Sequence, residues 1–145
     1  MKNMLKLLII IGLSLLVFGC ASGQKFAEVQ SKIQNLDADA GRIFIYRSTT
    51  FGAAIQPKIK LNGEKVGTSV AKGFFFLDRK PGNYEIMTST EVDRKLSFTL
   101  EDGQTRYVRF DVSMGFFVGH VYPKLVESEV GKKEIQKCSY TGPAL

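Results

Sequence analysis

Asp111, Ser113 and the single histidine, His120, are the residue types that a serine hydrolase assembles as orienting acid, nucleophile and base. No nucleophile elbow or other recognisable framework surrounds them, so His120 is read as a structural or surface residue. Thiol chemistry is limited in the same way. The two cysteines, Cys20 and Cys138, and one histidine build neither a zinc site nor a closely spaced redox pair. Glu85, Glu91, Asp93, Glu101 and Asp102 are the carboxylates from which a glycosidase pair would have to come, but most fall at turns and read as solvated charge. The expectation is a non-enzymatic chain with no metal and no cofactor.

Cys20 offers a different chemistry. Lys2 and Lys6 precede an apolar run over residues 7–18, too short to cross a hydrocarbon core of about 30 Å comfortably. The run closes Leu16-Val17-Phe18-Gly19-Cys20, which resembles the lipobox of bacterial lipoprotein precursors, although Phe18 is bulkier than usual there. The resemblance implies that Cys20 receives a thioether-linked diacylglycerol, becomes the first residue on cleavage, and is acylated again on its new amino group. One acyl chain holds a protein only marginally, whereas several make a stable anchor. Ala21 follows in place of aspartate, which by the same resemblance directs the product to the outer membrane, facing the periplasm. Expected location is therefore the bacterial cell envelope, on a lipid anchor.

The elements that would stand on this anchor form one domain. Residues 1–19 are read as signal peptide, 20–40 as lipidated cysteine, tether and short helix, 41–129 as the β-domain, and 130–145 as a C-terminal helix or tail. Formal net charge is +6. Loss of Lys2 and Lys6 leaves about +4, spread along the chain, which excludes a nucleic-acid signature but suits an anionic surface. With Cys20 acylated, Cys138 has no intrachain partner. It is either a small buried apolar residue, the preferred reading, or a thiol open to intermolecular pairing.

Residues 21–24 are small and polar, as a flexible spacer would be. Phe26, Val29, Ile33 and Leu36 recur at helical steps, for a helix packed on the domain edge or a loosely ordered stalk. From Arg42 the period becomes two. Residues 42–47 are apolar on both faces and suit a central strand. Residues 55–61 alternate, with Pro57 marking an edge or bulge. Asn62-Gly63 suits a hairpin turn of two positive-φ residues, Val66 and Val70 continue the return strand, and Pro81-Gly82 makes another turn. Tyr84, Ile86 and Thr88 alternate, as do Leu96, Phe98 and Leu100, then Val108, Phe110 and Val112. Residues 115–123 read as irregular, 124–129 as a last strand, and Ser128 as the cap of a helix reaching Lys137. Residues 139–145 read as a tail. The sum is an all-β domain, a single β-sandwich or partly open barrel with short flanking helices.

Within it, Lys58-Ile-Lys-Leu-Asn-Gly-Glu-Lys-Val-Gly67 followed by Lys80-Pro-Gly-Asn-Tyr-Glu-Ile86 resembles the PEGA-type surface module. Together with the opening Arg-Ile-Phe-Ile-Tyr-Arg it is still more similar to a family of small bacterial lipoproteins catalogued as a domain of unknown function, number two-eight-four-six. These are turn and core motifs, so the resemblance implies a compact extracytoplasmic β-module and supplies no catalytic residue.

Consecutive aromatics in a strand must face opposite sides. Phe74, Phe76, Phe116, Phe117, His120 and Tyr122 are therefore the candidate partner or ligand surface, unless the flanking segments cover it, which is the preferred reading. Strand addition at an open edge near Pro57 is a further candidate, although Pro57, Lys58 and Lys60 are the residue types that protect an edge. The expected function is a lipid-anchored, non-enzymatic interaction or envelope-structural module with an envelope protein or cell-wall partner and no nucleic acid. The alternative is a binding protein for a small apolar or lipidic ligand held between the sheet and residues 116–122.

Overall fold

A computed structural model describes residues 19–90, 92–115 and 119–145. The apolar run before Gly19, together with Glu91, Phe116, Phe117 and Val118, lies outside the described residues.

The chain enters through a one-turn helix α1 (Phe26–Val29) and a 3-10 turn (Gln30–Lys32). Glu28 Oε2 accepts the Lys25 amide at 2.8 Å, satisfying a donor at the helix start. The helix is shorter than its apolar stripe suggests, because Ile33 is already extended and Asp39 takes a positive φ. The strands follow in the order β1 (Gly41–Tyr46), β2 (Lys58–Leu61), β3 (Glu64–Thr68), β4 (Gly73–Arg79), β5 (Gly82–Ser89), β6 (Asp93–Leu100), β7 (Thr105–Ser113) and β8 (His120–Val126). Helix α2 (Ser128–Ile135) and a two-residue strand β9 (Ser139–Tyr140) complete the chain.

Two sheets stack. One has the order β8-β7-β1-β4-β9 and the other β3-β2-β5-β6, and neither closes into a barrel. Strand β1 is central as expected, antiparallel to β4 and parallel to β7. Its alternation divides the molecule into two cores. Ile43 and Ile45 face inward with Phe75, Val108 and Phe110, against Ile59, Leu61, Ile86, Phe98 and Leu100 of the second sheet. Phe44 and Tyr46 face outward with Phe74 and Tyr107, where α1 and α2 cover them through Phe26, Val29 and Ile135, joined by Cys138 from the turn after α2. At roughly 1.5–3 kcal/mol per fully buried large apolar side chain, both layers are needed by a domain this small.

Turn chemistry explains the connections. Asn62 and Gly63 both have positive φ and join β2 to β3 with Leu61 opposite Glu64, as the Asn-Gly pair requires. Gly67 leaves room for the Phe75 ring, which approaches closer than a Cβ would permit.

Four local expectations are corrected. Strand β2 is flanked by β3 and β5, so Pro57 precedes an interior strand and guards no edge. Pro123, read as part of an irregular stretch, lies inside β8, tolerated because β8 has a sheet partner on one side only. Ser128 is the first helical residue, and Glu127 takes the extended capping position. Residues 139–140 are not tail but pair with β4, and Thr141 donates its amide to Phe74 O at 2.8 Å.

Candidate functional site

Strand direction gives the sandwich two distinct ends. Strands β1 and β7 finish, and β2, β4, β6 and β8 start, at the end that carries Cys20. Cys20 is exposed there, bridged in parallel to Ala71. Ala21 donates its amide to Ala71 O at 2.8 Å, and Gln56 Nε2 donates to Gly19 O at 3.2 Å. The residues after it are also tied down, which corrects the expectation of a free spacer. Tyr140 donates its amide to Gln24 O at 2.7 Å, Lys25 bridges Ser139, and Gly23 lies against the Tyr140 backbone where no side chain would fit. An edge left by β9 takes up these main-chain groups, and the small residues at 21–23 permit the close approach.

Arg47 organises the loop beside Cys20. It is 1% exposed, and its guanidinium donates to the carbonyls of Phe51 (2.6 Å), Gly52 (2.7 Å), Ile55 (2.7 Å) and Ser69 (3.3 Å). Burial lowers its pKa, yet the converging carbonyl dipoles hold the cation without a carboxylate. The sequence placed Arg47 only at the end of a strand. An arginine closing an apolar strand ahead of the mostly small residues 48–54 was the available signal.

The expected ligand surface is dispersed. Phe74 is fully buried under α1. Phe76 is partly buried, with the Arg42 guanidinium 4.8 Å from its ring centre while Arg42 also pairs with both oxygens of Asp78 at 2.7 Å. Tyr122 lies on β8, separated from β4 by β7 and β1, so Phe74 and Phe76 cannot share a cavity wall with it. Phe116 and Phe117 lie outside the described residues. The covered-face reading holds for Phe74, since α1 and α2 supply its lid.

What the lid leaves is a groove of about 470 Å³ between the 26–36 segment and α2. Phe44 and Tyr107, stacked with centroids 5.2 Å apart, form its floor. Arg42, Lys132 and Gln136 lie on its rim. The floor rings are themselves buried, and what the groove exposes is polar and apolar in equal measure.

His120 starts β8 opposite Ser113, and Asp111 lies opposite Tyr122. The three sequence candidates therefore lie together on the β7–β8 pair, at the end that carries Cys20. Their chemistry is otherwise directed: both Asp111 oxygens accept from Arg109, at 2.7 and 2.9 Å, and His120 Nδ1 is 3.3 Å from Thr90 Oγ1. Arg109 also donates to Glu134, and these partners, Asp111 first, raise its pKa. Among the described residues no group of three or more histidine, cysteine, aspartate or glutamate side chains is placed to hold a metal. Cys138 is buried, and desolvation pushes its thiol up to about 11, so the preferred sequence reading of it fits the geometry.

Two stacked sheets, an Asn-Gly hairpin, a Pro-Gly turn and helices on one outer face define a small β-sandwich module. The chain belongs to the family described as protein of unknown function (DUF2846), whose model matches residues 37–121. No curated protein matched it. The matched span opens just before β1 and closes at the start of β8, so the family pattern covers the inter-sheet core and leaves out Cys20, α1 and α2. Among the described residues no helix is long and apolar enough to cross a membrane.

Proposed function

We propose that this chain is an envelope lipoprotein held to a bilayer by acyl chains on Cys20, with a sandwich that serves as a non-enzymatic interaction or envelope-structural module. The observation that supports this most is Cys20 itself, exposed beside the sandwich and directly preceded by the lipobox-like Leu16-Val17-Phe18-Gly19. Ala21, in place of aspartate, directs it to the outer membrane on the periplasmic side. A non-enzymatic role is supported by Asp111, whose carboxylate is committed to Arg109 and not to His120. Its partner is an envelope protein or the cell wall.

Metabolic labelling with a fatty acid tests the anchor. Parent protein should take up label, and Cys20→Ser should remain an unlabelled precursor of full length. Label on the Cys20→Ser protein would contradict the reading.

A second reading, binding of a small apolar or lipidic ligand, draws its support from the groove over Phe44 and Tyr107 and not from the Tyr122 strand. Half of its exposed lining is polar, which makes it the weaker of the two.

A further inference from the structure

We infer that the domain does not swing on a tether but lies end-on against the bilayer, with Phe51, Val92 and Met114 in the lipid interface. The inference rests on acylation of Cys20 and adds the orientation. Among the described residues, three of the five exposed large apolar side chains, Phe51 (53% exposed), Val92 (47%) and Met114 (77%), sit at the end of the sandwich that carries Cys20. The loops are packed together: a Cβ on Gly52 would meet Val112 and Ile55, one on Gly119 would meet Ile55, and Thr90 reaches His120. A Cβ on Gly19 would meet Ala53 of the 48–56 loop, and Gln56 of that loop donates to Gly19 O. The remaining two, Val130 and Leu145, lie on α2 and at the C-terminus.

Charge follows the same division. Lys25, Lys58, Lys72 and Arg94 lie near the Cys20 end, with Asp93 bonded to Ser89, whereas at the opposite end Asp37, Asp39, Glu64, Asp78, Glu101 and Asp102 are interspersed with Arg42, Lys65, Arg79, Lys80 and Arg106. Apolar tips within a basic rim suit an interface with anionic headgroups.

Linker length selects the bilayer as the occupant of this end. After removal of residue 19 the Ala21–Ala71 hydrogen bond still pins the main chain one residue from the acylated sulfur, and Gln24 and Lys25 are held by Tyr140 and Ser139. A lipid on an exposed Cys20 therefore brings the adjoining loops to the membrane surface, where burial of Phe51, Val92 and Met114 is favourable and would be wasted in water.

The chain contains no tryptophan, so single tryptophans report position without background. Phe51→Trp, Met114→Trp and, at the opposite end, Lys80→Trp are prepared as full lipoproteins in vesicles of phosphatidylethanolamine and phosphatidylglycerol, with and without bromine on the acyl chains. Intact mass is recorded on each sample. Emission loss at positions 51 and 114 should be severalfold larger than at position 80. Equal or negligible quenching at all three, with the mass showing an acylated Cys20, would overturn the orientation and leave the anchor standing. An unmodified Cys20 in that mass would remove the anchor and the orientation with it.

Discussion

The Tyr46 hydroxyl donates a 2.6 Å hydrogen bond to Glu134 Oε2, joining the central strand β1 to helix α2 across 88 positions of sequence. Arg109 on β7 donates to the other oxygen, Oε1, at 2.9 Å and grips Asp111 with its remaining nitrogens. One carboxylate thus fixes the helix that covers Phe74, Tyr107 and Cys138 to two strands. Burial first, then Glu134, raises the Tyr46 pKa, so the phenol stays protonated and donating.

Removing that carboxylate should loosen α2. Glu134→Ala leaves a buried hydroxyl and part of a guanidinium unpaired, at a cost on the order of 2–3 kcal/mol. Glu134→Gln, which keeps an acceptor, should cost less, and Tyr46→Phe combined with Glu134→Ala should cost less than the two separately. Urea unfolding of the set measures this. Midpoints equal to the parent would mean that α2 is held by apolar contact alone.

The inter-sheet layer was legible in the sequence because its signals are local: Asn62-Gly63 between two alternating runs, Pro81-Gly82, and the two-faced run of β1. The outer layer was not. Nothing local says that Glu134 faces Tyr46, that residues 21–25 run beside β9, or that Ser139 and Tyr140 add to β4, since each depends on contacts between distant segments. Pro123 misled for the same reason. Its strand is permitted by an open edge that only the assembled sheet creates. Of the candidate site, Cys20 is marked in the sequence only by the residues that precede it, whereas the ligand surface was drawn from aromatics that the topology places on separated strands.

Gly131→Ala should reverse the usual sign of a helical substitution. In an exposed helix interior the change stabilises by about 1 kcal/mol. Gly131 is buried on α2, and an added Cβ would collide with the Tyr107 ring and force α2 off the sheet. Overpacking of this kind costs roughly 1–3 kcal/mol. Thermal or urea unfolding decides the sign, and a more stable variant would contradict the close packing of α2 on β7.

Cys138 makes stability fall in alkali. Its folded pKa, about 11, lies above the ordinary value of 9.0 because burial disfavours the thiolate. A raised folded pKa contributes stability that is present in full below the unfolded pKa and is lost as pH rises through the folded one, so the loss develops between about pH 9 and 11. Its full extent is on the order of 2–3 kcal/mol. Buried Tyr46 and Tyr107 shift in the same direction. Cys138→Ala should flatten the profile between those pH values while lowering stability at pH 7 slightly. An unchanged slope would assign the alkaline loss to the tyrosines.

The central claim is the anchor on residue 20, and the mass of the N-terminal peptide from protein taken from its native envelope tests it most directly. A chain beginning at Cys20 with a diacylglyceryl group on sulfur and an acyl group on nitrogen is the predicted result. An unmodified Cys20, or one retained inside a longer N-terminus, would contradict it.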